Sequence, residues 1–286
     1  MLQEMIQPII ILGIMGAAFG ILLGFAAKAF RVEKDERVEK VAELLAGANC
    51  GGCGHAGCSA FAEALCAGTA NLSDCPSTKA EEKDRIAAIL GVSAGHEMPK
   101  VAMVMCSGSC DSASLVCKYE GITDCVAASR YGGGDKACDF GCIGYGSCVS
   151  VCPFDAIHVE NNVAVVDGEK CTACGSCVAI CPHHVIQLVE KSQRTFVKCK
   201  SHDKGASMKN VCSAGCIGCR ICEKNCPKGA IKVEDNVACI NYDLCVNCGI
   251  CASKCPRKII DFTRPDGTKP YVQATESIQN QASVAV

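Results

Sequence analysis

The chain has 286 residues, 28 of them cysteine, no tryptophan, 5% aromatic residues and a formal net charge of −2. That charge by itself says nothing about nucleic acid, and no nucleic-acid partner is expected. So few aromatic rings exclude a large aromatic core, so metal-held thiolates must replace part of the missing packing.

The first element in chain order is an apolar stretch at 9–27, uncharged and long enough for one membrane span. A signal peptide is the competing reading, with A-K-A at 27–29 as its cleavage site. Against it, Glu4 precedes the stretch and no Lys or Arg does. Lys28, Arg31, Lys34, Arg37 and Lys40 follow it, so the positive-inside rule puts the bulk of the chain on the cytoplasmic side of the cell membrane. Gly13, Gly16, Gly20 and Gly24 form a stripe suited to close packing against another membrane helix, although glycine is common in such helices anyway.

After the anchor (1–30), residues 31–98 read as a helical domain, with helix-period apolar patterns in VEKVAELLAGA, SAFAEALCAG and AEEKDRIAAILG. Cys50, Cys53, Cys58 and Cys75 are spaced to hold one four-thiolate cluster, and the intervening glycines let backbone N–H groups approach the sulfurs. His55 reads as a loop residue rather than a ligand.

Three later runs read Cys-x2-Cys-x2-Cys-x3-Cys-Pro, starting at Cys171, Cys216 and Cys245. A fourth, from Cys142, has Tyr145 in place of the second cysteine. This is the bacterial ferredoxin spacing, in which three thiolates bind one 4Fe–4S cluster and the fourth reaches its neighbour. Disulfides do not need such triplets, and zinc sites use separated CxxC pairs instead. Clusters of this kind call for a reducing compartment.

Residues 125–198 laid over 199–272 keep register without a gap, pairing Cys125 with Cys199 and Cys138 with Cys212. Each copy is expected to be a two-cluster ferredoxin domain, at 138–190 and 216–262, with IHVENNVAVV and IKVEDNVACI as paired strands around an Asn turn. The overall class is α+β, in small metal-held domains. Residues 99–137 form a cysteine-containing linker region, 191–215 a linker with Cys199 and Cys212, and 263–286 a flexible tail.

The crossover pattern assigns five clusters. Besides Cys50, Cys53, Cys58 and Cys75, the first copy gives Cys138, Cys142, Cys148 and Cys181, then Cys171, Cys174, Cys177 and Cys152. The second gives Cys216, Cys219, Cys222 and Cys255, then Cys245, Cys248, Cys251 and Cys226. Cys138 is thus expected to stand in for the cysteine missing at Tyr145, the alternative being a three-iron cluster. Cys106, Cys125, Cys199 and Cys212 are left to hold a sixth cluster between the domains, with Cys110 and Cys117 as local substitutes. Cys239 and Cys66 read as buried packing residues.

The single anchor, the NCGGCGHAGC block and the tandem ferredoxin units together resemble the B subunit of the Rnf-type ion-translocating oxidoreductase, over roughly residues 1–260. The second ferredoxin copy marks an extended variant. The resemblance implies an electron-relay subunit of a translocase, passing electrons between reduced ferredoxin and NAD in a complex coupled to Na+ or H+ transport. No dinucleotide loop, P-loop or ionisable residue in the span is read here, so NAD, flavin and ion passage fall to other subunits.

Residues 125–190 carry a charge balance of −4 and residues 198–258 one of +6. Lys200, Lys204, Lys209, Arg220, Lys224 and Lys228 therefore form the expected docking face for an acidic soluble ferredoxin, against the plainer reading of a solvated basic face. A stand-alone membrane-tethered polyferredoxin serving soluble enzymes is the functional alternative.

Overall fold

The computed structural model describes residues 2–29, 35–95 and 98–262, so the tail expected over 263–286 lies outside the described residues. Helix α1, Leu2–Ala29, contains the apolar stretch and runs for 28 residues. Its side chains are described only at 13–26 and 28. Among the described residues no helix is long and apolar enough to cross a membrane.

The three expected helices of the next unit are α2 (Glu36–Leu44), α3 (Cys58–Cys66) and α4 (Ala80–Leu90). Asp35 caps α2 by accepting the Arg37 N–H at 2.9 Å. Gly91, at φ +69°, ends α4 in the left-handed conformation that glycine tolerates. Val41, Leu45, Phe61, Ala62, Leu65, Leu72, Ile86 and Ala87 form one core, and Cys53, Cys58 and Cys75 lie against or within it. The apolar faces of three short helices thus close beneath the cysteine loop.

The rest is two copies of one small design. In the first, β1 (Lys100–Val104) pairs antiparallel with β4 (Ile186–Glu190), while β2 (Ile157–Glu160) and β3 (Val163–Val166) form a hairpin. Short helices α5 (Cys125–Arg130), α6 (Ser147–Ser150) and α7 (Ser176–Ile180) carry cysteines. In the second, β5 (Thr195–Val197) pairs with β8 (Ile260–Phe262), and β6 (Ile231–Glu234) with β7 (Val237–Ile240). Its helices are α8 (Gly205–Val211), α9 (Ile221–Lys224) and α10 (Ile250–Lys254). Both hairpins turn on a pair of positive-φ residues, Asn161–Asn162 and Asp235–Asn236, as a two-residue hairpin turn of matching twist requires.

The two stretches read as linkers each supply an outer strand, β1 from 99–137 and β5 from 191–215. The strand exits match: Met105 N–H donates to Val185 O at 2.7 Å, and Lys198 N–H to Ile259 O at 2.8 Å. Cys106 is therefore the structural counterpart of Cys199. The gapless register pairs Cys199 with Cys125 instead, and the structure corrects it. Cys125 lies on α5, within a stretch between Cys106 and Cys138 that is longer than the one between Cys199 and Cys212.

Candidate iron–sulfur centres

Short cysteine runs cannot bury much apolar surface, so the chain folds around thiol-lined spaces. Four such voids recur, similar to one another in size. One is lined by Cys152, Cys171, Cys174 and Cys177. A second is lined by Cys226, Cys245, Cys248 and Cys251, and a third by Cys216, Cys219, Cys222 and Cys255. These are three of the groupings that the crossover spacing predicts. Among the described residues, no three His, Cys, Asp or Glu side chains converge closely enough to hold a single metal ion. Thiols splayed around a void suit a polynuclear cluster rather than one tetrahedral zinc.

Backbone N–H groups point at several sulfurs. Ala102 donates to Cys171 Sγ and Ala156 to Cys152 Sγ, both at 3.4 Å, and Ala230 donates to Cys226 Sγ at 3.3 Å. Burial acts to raise the Cys226 thiol, yet the N–H groups of Lys228, Ala230, Ile231 and Gly229 outweigh it and hold the pKa below its ordinary value. Elsewhere burial wins, and it pushes Cys148 and Cys251 up to about 12 and Cys142, Cys177, Cys199 and Cys222 up to about 11. Such thiols resist losing their protons to solvent, so the thiolates that iron requires form only as the metal takes up their charge.

The fourth void groups the thiols differently from the crossover pattern. It is lined by Cys106, Cys138, Cys199 and Cys212. Cys138 thus lines this void, and Cys125 lies near Cys148 instead. The Cys148 thiol has Cys142, Cys125, Cys177 and Cys181 as its charged neighbours. Cys125 is held there by α5: Asp124 caps the helix at Ala127 N–H, 2.8 Å, and accepts Ser147 Oγ at 2.5 Å. Ser147 Oγ in turn accepts the Cys125 N–H at 2.7 Å. Tyr145 turns aside to stack on Tyr119, with ring centroids 5.5 Å apart. The physical reason for the exchange is the longer first-copy segment, which folds α5 back over the Tyr145 position. Only its cysteine and the incomplete run hinted at this in the sequence.

In the N-terminal unit, Cys53, Cys58 and Cys75 share one core with the helices. Cys50 Sγ lies 3.6 Å from Ser77 Oγ, and Cys75 Sγ 3.2 Å from Thr78 Oγ1. Asn49 Oδ1 accepts the Cys58 N–H at 2.8 Å, which sets the start of α3. His55 packs on Phe61, with ring centroids 5.3 Å apart, as a loop residue. The letters G-x-G-x-x-G occur once, as Gly52, Gly54 and Gly57 leading into α3, and among the described residues they follow a loop after α2 rather than a strand.

The cysteine loop docks directly on the first ferredoxin copy. Ser77 Oγ lies 3.2 Å from Thr172 Oγ1, and Ser176 Oγ donates to Cys50 O at 3.4 Å while lying 3.5 Å from Cys174 Sγ. Of the remaining cysteines, Cys239 is exposed rather than buried, although Val237 two residues before it on β7 is buried, and Cys110 and Cys117 are exposed as well. Cys66 is half-buried at the end of α3. All six basic docking candidates are accessible: Lys204, Lys209, Arg220, Lys224 and Lys228 are exposed and Lys200 is half-buried.

An Fe–S cluster family model matches residues 45–77, the LdpA Fe-S cluster-binding domain model matches 145–192, and the 4Fe-4S dicluster domain model matches 215–259. The chain is 43% identical, over 85% of its length and 73% of the relative's, to the B subunit of the Na(+)-translocating ferredoxin:NAD(+) oxidoreductase complex of Acetobacterium woodii. It is 39% identical to the B subunit of the ion-translocating oxidoreductase complex of Methanosarcina acetivorans, over 85% and 92% of the two chains. It is 40% identical to the B subunit of the proton-translocating ferredoxin:NAD(+) oxidoreductase complex of Clostridium ljungdahlii, over 85% and 86%. Thiol-lined voids, cysteine runs and these relatives agree: the chain belongs to the family of B subunits of Rnf-type ion-translocating oxidoreductase complexes.

Proposed function

We propose that this chain is the iron–sulfur electron relay of an ion-translocating ferredoxin:NAD oxidoreductase. Four-iron clusters bound there would supply one-electron transfer, and this chain's burial and N–H···S bonds would set their potentials. Five clusters are held by Cys50, Cys53, Cys58 and Cys75; by Cys125, Cys142, Cys148 and Cys181; and by the three cysteine-lined voids of the ferredoxin runs. The observation that carries this reading is the contact between the N-terminal loop and the first ferredoxin copy, and between the two sets within each copy. Cys50 meets the Cys174 set through Ser77 and Ser176. Cys148 then links the two sets of the first copy, as Cys222 links those of the second.

Electrons enter at the second copy, where Cys219 and Cys248 are exposed beside the basic side chains Arg220 and Lys228. The donor is an acidic protein, a reduced soluble ferredoxin. The N-terminal cluster lies at the opposite end of the series and passes electrons to partner subunits, which hold the NAD site, any flavin and the ion path. Helix α1 is the membrane anchor. In its favour are its length, about 42 Å at the helical rise, and the exposure of Ile14, Phe19, Ile21, Leu22, Leu23 and Phe25. A hydrocarbon core needs about 30 Å. The basic residues after α1 put the ferredoxin copies on the cytoplasmic side.

Mild anaerobic detergent extraction of membranes, followed by mass spectrometry, tests this. Co-purifying integral membrane chains with flavin- and NADH-binding chains support the relay. Recovery of this chain alone, still brown with iron, favours the tethered polyferredoxin.

A further inference from the structure

The N-terminal cysteine loop covers one face of the first ferredoxin copy, and the same face of the second copy is bare. Residues 152–181 repeat as 226–255, so Thr172, Cys174 and Ser176 correspond to Val246, Cys248 and Ile250. The backbones match as well. Ala173 and Asn247 have φ of +59° and +53°, and Gly175 and Gly249, at φ +83° and +72°, are the N-caps of α7 and α10. Val246, Cys248 and Ile250 therefore share one face, as their counterparts do. In the first copy Ser77 reaches Thr172, Ser176 donates to the Cys50 carbonyl, and a Cβ on Gly52 would stand 2.6 Å from Cys174 O. Thr172, Cys174 and Ser176 are half-buried there. In the second copy Val246 and Ile250 are 57% and 38% exposed, with Cys248 exposed between them.

The side chains of the bare face are those of a contact surface. Thr172 and Ser176, at its centre in the first copy, become aliphatic in the second, while Phe154 and Ile180 become Lys228 and Lys254. Lys228 lines one void with Val246 and Cys248, as Phe154 does with Thr172 and Cys174. Lys254 stands one turn from Ile250 on the same side of α10. Both lysines are exposed, and Asp243 is the acidic side chain in the run between β7 and α10. An exposed aliphatic centre with a basic rim marks a protein contact site for an acidic partner. Cys219 is exposed too, but its counterpart Tyr145 packs against Tyr119 behind α5 rather than under a cysteine loop.

We infer that the face around Val246, Cys248 and Ile250 seats the electron donor, an acidic iron–sulfur protein that lays a small-residue cysteine loop over Cys248 as the Cys50 loop lies over Cys174. This rests on the relay proposed above and narrows it: electrons enter through the Cys226, Cys245, Cys248 and Cys251 set rather than the Cys216 set. The donor loses one electron and that set gains it, with no bond made or broken. Lys228 and Lys254 steer the encounter and the aliphatic centre holds it, so the first contribution fades with salt and the second does not.

The test uses the full chain with Val246→Thr and Ile250→Ser together, which writes the first copy's residues into the second. Both positions are exposed, so iron content and reduction by dithionite are expected to match the parent. With an acidic bacterial two-cluster ferredoxin as the probe, binding is expected to weaken and ferredoxin oxidation to slow at least tenfold, at low and high salt alike. Ile221→Ser, the same exchange beside Cys219, is expected to change neither. A double variant that binds and oxidises ferredoxin as the parent does, or a loss confined to Ile221→Ser, overturns the proposal. So does a concentration-dependent dimer of the parent that the double variant abolishes, because a second copy of the chain then occupies the face. Ferredoxin that binds the parent and not the double variant, yet passes the parent no electron, would support the surface and defeat the relay.

Discussion

Gly52 is where the N-terminal cluster loop touches the first ferredoxin copy most closely, and it gives the sharpest single-residue prediction. An added Cβ there would lie 2.6 Å from Cys174 O and 3.3 Å from its carbonyl carbon and Cα. Carbon–oxygen contacts close at about 3.3 Å, so Gly52→Ala must separate the two units by roughly 0.7 Å. Gly52 is not among the positive-φ glycines, so local strain does not cloud the result. Overpacking of this size costs about 1–3 kcal/mol, which moves a docking equilibrium by roughly 5- to 150-fold. Pulsed EPR of the reduced protein should show the magnetic coupling between the Cys50 and Cys174 clusters weakened. Gly95→Ala, whose Cβ meets nothing closer than Ser73 at 3.9 Å, should leave the coupling unchanged. Coupling in Gly52→Ala equal to the parent's would refute the direct contact between the two cluster loops.

Three further outcomes are expected. Cys125→Ser should damage the cluster of Cys142, Cys148 and Cys181, seen as a three-iron EPR signal, and leave any iron at Cys106, Cys199 and Cys212 intact; damage there instead would restore the grouping read from spacing. Reversing Lys204, Lys209, Arg220, Lys224 and Lys228 should slow ferredoxin oxidation by tenfold or more at low salt, with the difference fading as salt rises. An unchanged stopped-flow rate removes this face as the docking site. Deleting 2–29 should move the protein from membranes to the soluble fraction with its iron content unchanged, and continued sedimentation with membranes would exclude α1 as the sole anchor.

The ferredoxin runs were legible because ligand spacing is a local constraint. Three thiolates on one cluster must come at fixed offsets, and Cys171, Cys174 and Cys177 can do little else. The hairpins were legible for the same reason, since Asn161–Asn162 and Asp235–Asn236 supply the left-handed pair that the turn requires. The fourth void was half legible: Cys106, Cys199 and Cys212 stood out as spare thiols, whereas Cys138, which lines it with them, was read with other partners. Ligands that meet through tertiary packing carry no spacing signal, and the gapless overlay hid the longer first-copy segment that lifts Cys125 onto α5. Cys239 shows the same limit, because its exposure does not follow the two-residue alternation that would bury it with Val237. The contact of Gly52 with Cys174 had no sequence signature at all.

The central claim is that electrons cross the whole chain, from the basic copy to the N-terminal cluster. Rapid freeze-quench EPR after mixing with reduced ferredoxin tests it directly, comparing the parent chain with Cys138→Ser. The account predicts that the second-copy clusters are reduced first and the Cys50 cluster last, and that the variant reduces the second copy normally but the Cys50 cluster at least tenfold more slowly. Reduction of the Cys50 cluster at the parent rate in that variant would contradict it.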